Sequence, residues 1–168
     1  LAQADAARSA YEREDYTAAV SLYAPRAAAG DAEAQYRMGM MARFGWGMDK
    51  DTAAAVRWLS AAARQNHAQA QAELGAMYRL GRGVPEDARE AARLLTAAAL
   101  AGVGIAQLSV GRMYRDGIGV DRDLVEAYAW FRCSVATAEL PGARAPDAER
   151  EIAKDARRSL ERLLGSLD

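Results

Sequence analysis

Apolar and polar positions along the chain recur in a fixed order every 36 residues. In each unit a first stretch places its apolar and small side chains on one face of a helix turning 100° per residue, and a second stretch does the same after a Gly-x-Gly turn. Nothing alternates with the period of two that a half-buried strand requires. The pattern therefore predicts helix pairs at 32–44 with 52–65, 68–80 with 88–101, and 104–116 with 124–138.

Nine columns are identical in all three units, without a gap. In the first unit they are Ala34, Gln35, Gly39, Met41, Arg43, Gly45, Gly47, Asp51 and Ala55. We therefore predict one repeat domain over 1–168, with full units at 34–69, 70–105 and 106–141. A partial unit at 1–33 and a polar helix at 147–165 would cap its two ends, as terminal repeats must.

Glycine and aspartate mark the helix ends. Gly45 suits a helix C-terminus because glycine adopts positive φ without strain, and Asp51 suits the N-cap of the next helix. Asp87 and Asp123 are each followed three residues later by glutamate, which predicts capping boxes. A glycine inside each first helix costs about 0.5–1 kcal/mol relative to alanine, so we expect a neighbouring helix to approach closely there.

Composition removes several classes of function. The net charge of −1 argues against a strongly basic nucleic-acid binder, and no apolar run approaches the roughly 20 residues of a membrane span. One cysteine and one histidine make a disulfide and a structural zinc site untenable, so we expect no metal and no cofactor. We interpret Cys133 as filling a small apolar position, like Ala61 and Ala97, and His67 as a turn or N-cap residue.

No catalytic motif stands out. Neither Gly-x-Ser-x-Gly nor Ser-x-x-Lys occurs, and the Gly-x-Gly loops recur in every unit without the lysine of a phosphate-binding loop. We therefore interpret those loops as structural turns and predict that the protein is not an enzyme.

The repeated string resembles that of the Sel-one-like repeat family, a relative of the tetratricopeptide repeats. The match is best from Ala70 to Val84 and covers about residues 16–138, although Ala42 stands where tyrosine is usual and Met48 where valine is. The resemblance implies an all-α, right-handed α-solenoid whose first helices line a concave face. It also implies an adaptor or regulator of other proteins, often in bacterial envelopes.

The side opposite the apolar stripe of the first helices offers candidate partner-binding residues. They are Tyr36, Met40, Arg43, Arg79, Leu108, Arg112 and Arg115, with Trp46 in the first Gly-x-Gly loop. One interpretation is a groove in which apolar anchors lie beside an arginine column, because aromatic residues and arginine dominate binding hot spots. The other is that these are scattered exposed groups with internal partners such as Glu73 and Asp116, and that Trp46 packs against a neighbouring turn.

The leading hypothesis is a non-enzymatic protein–protein interaction scaffold that binds an acidic or mixed-charge segment of a partner on the concave face. A start of small residues without methionine indicates either a removed signal peptide or a trimmed chain, so we expect a periplasmic or secreted location, and a cytoplasmic one stays open. Two alternatives stay open: a weak hydrolase of cell-wall peptides or β-lactams, and a regulatory domain of a larger envelope protein.

Overall fold

The computed structural model describes residues 2–138 and 147–165, and within them the chain forms nine α-helices and no strand. The helices are α1 (Ala2–Glu12), α2 (Tyr16–Ala28), α3 (Ala32–Phe44), α4 (Thr52–Arg64), α5 (Ala68–Leu80), α6 (Ala88–Leu100), α7 (Gly104–Asp116), α8 (Leu124–Ala138) and α9 (Asp147–Leu164). The three predicted pairs are confirmed to within one residue at every end. Positions 139–141, the end of the predicted third unit, lie outside the described residues. None of the described helices is both long and apolar enough to cross a membrane.

Each repeat is a tight pair of antiparallel helices, which we name A (α3, α5 and α7) and B (α4, α6 and α8). A Cβ atom placed on Gly39 would lie 2.7 Å from Leu59 Cγ, and one on Gly75 would lie 2.8 Å from Leu95 Cγ. The same position in the third pair, Gly111, meets Phe131 at 2.6 Å. These distances confirm the close approach expected from the helical glycines, because a methyl group would overlap the neighbouring side chain.

The Gly-x-Gly loops are structural turns. Their first glycine ends the A helix, as Gly45 does at φ 75°. Their second glycine lies against the start of the preceding B helix, where a Cβ atom on Gly83 would be 2.4 Å from Thr52 Cγ2 and one on Gly119 would be 2.0 Å from the Ala88 carbonyl oxygen. Each loop therefore joins two neighbouring repeats.

Aspartate caps the B helices, but the capping boxes are only half formed. The Asp87 carboxylate accepts a hydrogen bond from the Glu90 backbone N–H, as predicted. The other half of the predicted box, a bond from the Asp87 backbone N–H to the Glu90 side chain, is wrong. That N–H already donates to the Tyr78 carbonyl oxygen at 3.0 Å. In the third repeat the Asp123 N–H donates in the same way to the Tyr114 carbonyl oxygen.

A buried glutamine ties each A helix to the helix that precedes it in the chain, which is α2, α4 or α6. The side-chain amide of Gln35 donates to the Ala27 carbonyl oxygen at 3.2 Å, that of Gln71 to Ala63 at 3.3 Å, and that of Gln107 to Ala99 at 3.2 Å. Because these amides are buried, the bonds satisfy groups that would otherwise destabilise the interface. The identical Ala-Gln column thus encodes the stacking of one repeat on the next.

The two ends of the array are covered differently. At the N-terminus α1 and α2 contribute Ala7, Ala10 and Tyr23 to a core shared with α3. At the C-terminus α9 packs on both α7 and α8, as predicted for a capping helix. The chain is an α-solenoid closed by α9.

Candidate functional site

The exposed sides of the A helices carry the candidate site, which we call the A face. Four positions on each helix, spaced i, i+4, i+7 and i+11, lie on it. They are Glu33, Arg37, Met40 and Phe44 on α3; Gln69, Glu73, Ala76 and Leu80 on α5; and Ile105, Ser109, Arg112 and Asp116 on α7. Phe44, Leu80 and Ile105 are 47%, 42% and 47% exposed, so the A face presents three large apolar side chains to solvent.

The residues predicted from the sequence overlap this face only in part, because the predicted set is rotated around the helix axis. Met40 and Arg112 lie on it as predicted, whereas Phe44, Leu80 and Ile105 were missed. Helical side chains lean toward the N-terminus, so the residue that covers a surface position is about one place further along the chain than a helical wheel suggests. Extending the stripe from Met40 by four residues would have found Phe44.

Tyr36 is a packing residue of the first two repeats. Its ring stacks on His67 with 4.8 Å between centroids, and burial raises the pKa of its hydroxyl to about 12. Tyr36 therefore points along the solenoid toward α5, and what it offers to a partner is the edge of a half-buried ring.

Leu108 was predicted to be exposed, and that prediction is wrong. The side chain is 1% exposed and packs in one cluster with Ala156 and Leu163 of α9. It occupies the same position as Tyr36 and Ala72, from which a side chain points toward the next helix in the array. In the last repeat that next helix is α9, which covers Leu108.

The predictions for Trp46 and Cys133 have different outcomes. The Trp46 ring stacks on Tyr16 at 5.0 Å and on Phe44 at 4.7 Å, so the interpretation that it packs against a neighbouring turn is confirmed. Cys133, interpreted as filling a small apolar position, is instead exposed on α8. Its counterparts Ala61 and Ala97 are partly covered.

Two members of the arginine column have internal partners. Arg43 pairs with Glu73 on the next A helix, and Arg115 grips both carboxylate oxygens of Asp116 at 2.7 Å, which lowers the pKa of that carboxyl. These are the two internal partners that the sequence suggested. Arg112, one turn from the column, bonds Asp155 of α9 at 3.0 Å.

Arg79 differs from the other two. It is exposed, and within the described part of the chain no carboxylate forms an ion pair with it. The predicted column is therefore one free guanidinium between two that are engaged.

His67 has a structural role. Its Nδ1 accepts a hydrogen bond from the Ala70 N–H at 3.3 Å, which caps α5 and confirms the N-cap interpretation. The Nε2 atom therefore carries the ring hydrogen and donates it to Glu33 at 2.9 Å. This bond, together with the Arg37 guanidinium at 2.6 Å, lowers the pKa of Glu33 to about 2.

The described residues hold no group of three histidine, cysteine, aspartate or glutamate side chains that could bind a metal ion. The A face offers apolar contact from three side chains, and Arg79, the exposed residue just before Leu80 on α5, can add a forked hydrogen bond beside it.

The comparisons with known proteins agree on the repeat. Residues 32–67, 68–103 and 104–136 each match the family model described as Sel1 repeat. Among solved structures, the chain is similar to a Sel1 repeat protein from Oxalobacter formigenes, with 27% identity and a TM-score of 0.77 over 80% of this chain and 54% of that one. It is also similar to c5321, described as a protective antigen present in uropathogenic Escherichia coli strains and displaying an SLR fold, with 30% identity and a TM-score of 0.70 over 86% of this chain and 34% of that one.

The chain thus spans about half the length of the first of these structures and about a third of the second. A search of curated proteins found no match.

Proposed function

Because the chain belongs to the Sel1 repeat family, we propose that it is a non-enzymatic scaffold or regulator that binds a segment of a partner protein along the A face. The exposure of Phe44, Leu80 and Ile105 carries this proposal. The packing of the repeats uses other residues, namely the helical glycines within each pair and the loop glycines and buried glutamines between pairs. Covering large apolar side chains is the main favourable contribution to most protein interfaces, so these three are natural anchors for a partner.

The A face is favoured over the outer side of the B helices by its extent. Val125 and Tyr128 on α8 and Leu100 at the end of α6 are also exposed, but α4 contributes no large exposed apolar side chain. The outward positions of α4 and α6 carry arginines such as Arg57 and Arg93. The A face instead offers apolar side chains on three successive helices, which suits an extended partner segment.

Two features support a binding module over the hydrolase alternative. The one histidine commits both ring nitrogens to structural hydrogen bonds, with Ala70 and Glu33. The motifs of serine acyl transfer are missing from the sequence. We keep the cell envelope as the proposed location, which the description of the E. coli structure as a protective antigen supports. Fractionation of the source organism tests that location.

Site-specific photo-crosslinking tests the proposed surface. A benzophenone amino acid replaces Leu80 on the A face, Val125 on α8, or Arg57 on α4, and the full chain is irradiated in cells of the source organism. We expect one protein to be captured from position 80 and not from position 57. Capture from position 125 alone, or the same proteins from all three positions, would contradict the proposal.

A further inference from the structure

We propose that a carboxylate of the partner segment binds Arg79 between the second and third repeats. This inference rests on the proposed function and assigns the chemistry of its ligand. Two places in the solenoid are equivalent: the first junction, where the pair α3–α4 meets α5, and the second junction, where the pair α5–α6 meets α7.

Equivalent residues at the two junctions have different partners. At the first junction Arg43 of α3 reaches across to Glu73 of α5. One repeat later, 36 residues on, the arginine is kept as Arg79 but the glutamate is replaced by Ser109. The Ser109 hydroxyl donates to the Ile105 carbonyl oxygen of its own helix at 2.8 Å. The second junction thus keeps the arginine but lacks the glutamate that forms an ion pair with it at the first junction.

A cavity of about 220 Å³ lies at this position. Its lining includes Arg79 and Ser109, and the apolar side chains of Met113 and Ile118. Arg112 also lines it but is engaged by Asp155, and Asp116 is engaged by Arg115. Arg79 is consequently the cation of this cavity that is open to a ligand.

The chemistry of the cavity favours a carboxylate next to an apolar side chain. A guanidinium fork binds a carboxylate through two parallel hydrogen bonds, and partial enclosure strengthens them. Ile118, which is 47% exposed, supplies apolar contact beside the fork. Glu86, which lines the same cavity and has no ion pair in the described part of the chain, opposes an acidic ligand and gives the test a variant of opposite sign.

Arrays of short synthetic peptides test the inference. One array carries a central glutamate beside leucine among randomised neighbours, and the matched array carries glutamine in place of the glutamate. We expect the full chain to bind the glutamate peptides about tenfold more tightly than the glutamine peptides, equivalent to one charge-assisted bond. Arg79→Gln should remove this preference, whereas Arg82→Gln, which removes the same charge from the neighbouring loop, should keep it.

Two further substitutions separate the ion pair from its surroundings. Ser109→Glu restores at the second junction the carboxylate that Glu73 supplies at the first, so it should engage Arg79 internally and abolish the preference. Ser109→Gln has the same size without the charge and should leave the preference intact. Glu86→Gln should enlarge it. Thermal unfolding followed by circular dichroism shows whether each variant is folded.

The outcomes distinguish this inference from the proposal on which it rests. Equal binding of the two arrays by the wild-type chain overturns the inference, as does a preference that survives Arg79→Gln or Ser109→Glu. If crosslinking from position 80 still captures a partner in that case, the A face stands as a binding surface and only the role of Arg79 is lost. If crosslinking fails as well, the proposed function falls.

Discussion

The two junctions of the solenoid are built from equivalent residues, yet they are tied together differently. Two polar links cross the first junction, Arg43 with Glu73 and His67 with Glu33. A third, from Gln65 to both Gln35 and the Gly30 carbonyl oxygen, ties the end of α4 to the start of α3. At the equivalent positions the second junction has Arg79 with Ser109, Val103 with Gln69, and Ala101 with Gln71. In the described part of the chain, none of those three pairs forms a hydrogen bond or an ion pair.

What the junctions share explains why they nevertheless stack alike. Both have a glutamine that bonds a carbonyl oxygen of the preceding B helix, and both have a loop glycine that lies against its start. At the second junction Ala72 and Val110 also belong to one apolar cluster. Apolar spacing, glycine and glutamine therefore set how the repeats stack. The polar links add strength, and where they are missing they leave side chains available to a partner.

The largest expected effect comes from breaking the loop contact at each junction. Both Gly83 and Gly119 have positive φ, which costs an L-residue about 1 kcal/mol. Gly119→Ala adds a clash with the rigid backbone of Ala88, so we expect the free energy of unfolding to fall by about 3 kcal/mol. Gly83→Ala meets mainly the Thr52 methyl group, which can move, and should cost about 1–2 kcal/mol.

Urea unfolding of the two variants and the wild type measures the difference. A larger loss from Gly83→Ala than from Gly119→Ala would show that the first loop contact, and not the second, is the more rigid.

A smaller effect separates the junctions by pH. The folded chain holds the pKa of Glu33 at about 2, below its ordinary value of 4.5, so this carboxylate stabilises the fold above about pH 4.5. That contribution is lost as the pH falls toward 2. Because the Glu33 side chain is 45% exposed, solvent screening reduces the contribution to about 1 kcal/mol.

Glu33→Gln should therefore lower the free energy of unfolding near neutral pH and approach the wild type on acidification. Denaturant titrations across that pH range check this. Two parallel curves would contradict the role of Glu33, and the second junction, with Gln69 at this position, predicts no such dependence of its own.

The smallest effect sharpens the comparison by adding a missing cap. Asp31 and His67 cap α3 and α5 through their side chains, whereas Val103 begins α7 without a side-chain bond. Val103→Asp should supply that bond and gain about 0.5 kcal/mol, since part of the cap energy is offset by lost apolar contact. Slower hydrogen exchange of the first-turn amides of α7 would report it. Val103→Ala, which lacks an acceptor, should make the same amides exchange faster than in the wild type.

The fold was predictable because its determinants repeat. Glycine and aspartate mark the helix ends three times over, so bounds such as 68–80 for α5 could be predicted from the sequence alone. The prediction of complete capping boxes failed because the backbone N–H of Asp87 already donates to the Tyr78 carbonyl oxygen. Sequence spacing does not show that contact.

The site was predictable only where it follows the repeat. Met40, Arg43 and Arg79 lie at repeated positions of an A helix, and their side of the helix follows from the period. Leu108 obeys the same period and is buried, because α9 lies outside the repeat pattern and covers it. Whether Arg43 and Arg79 have a partner depended on a single position of the neighbouring helix, glutamate at 73 and serine at 109.

The placement of α9 has a consequence for how such an array evolves. α9 packs at the position that the A helix of a further repeat would take. Its contacts therefore depend on the surface of the last repeat and not on the number of repeats before it. A tandem duplication of 36 residues upstream would present the same surface to α9 and leave α1 and α2 undisturbed. Recombination can therefore lengthen the array without redesigning α9 or the pair α1–α2, so the number of A helices in the row is heritable independently of the helices that flank them.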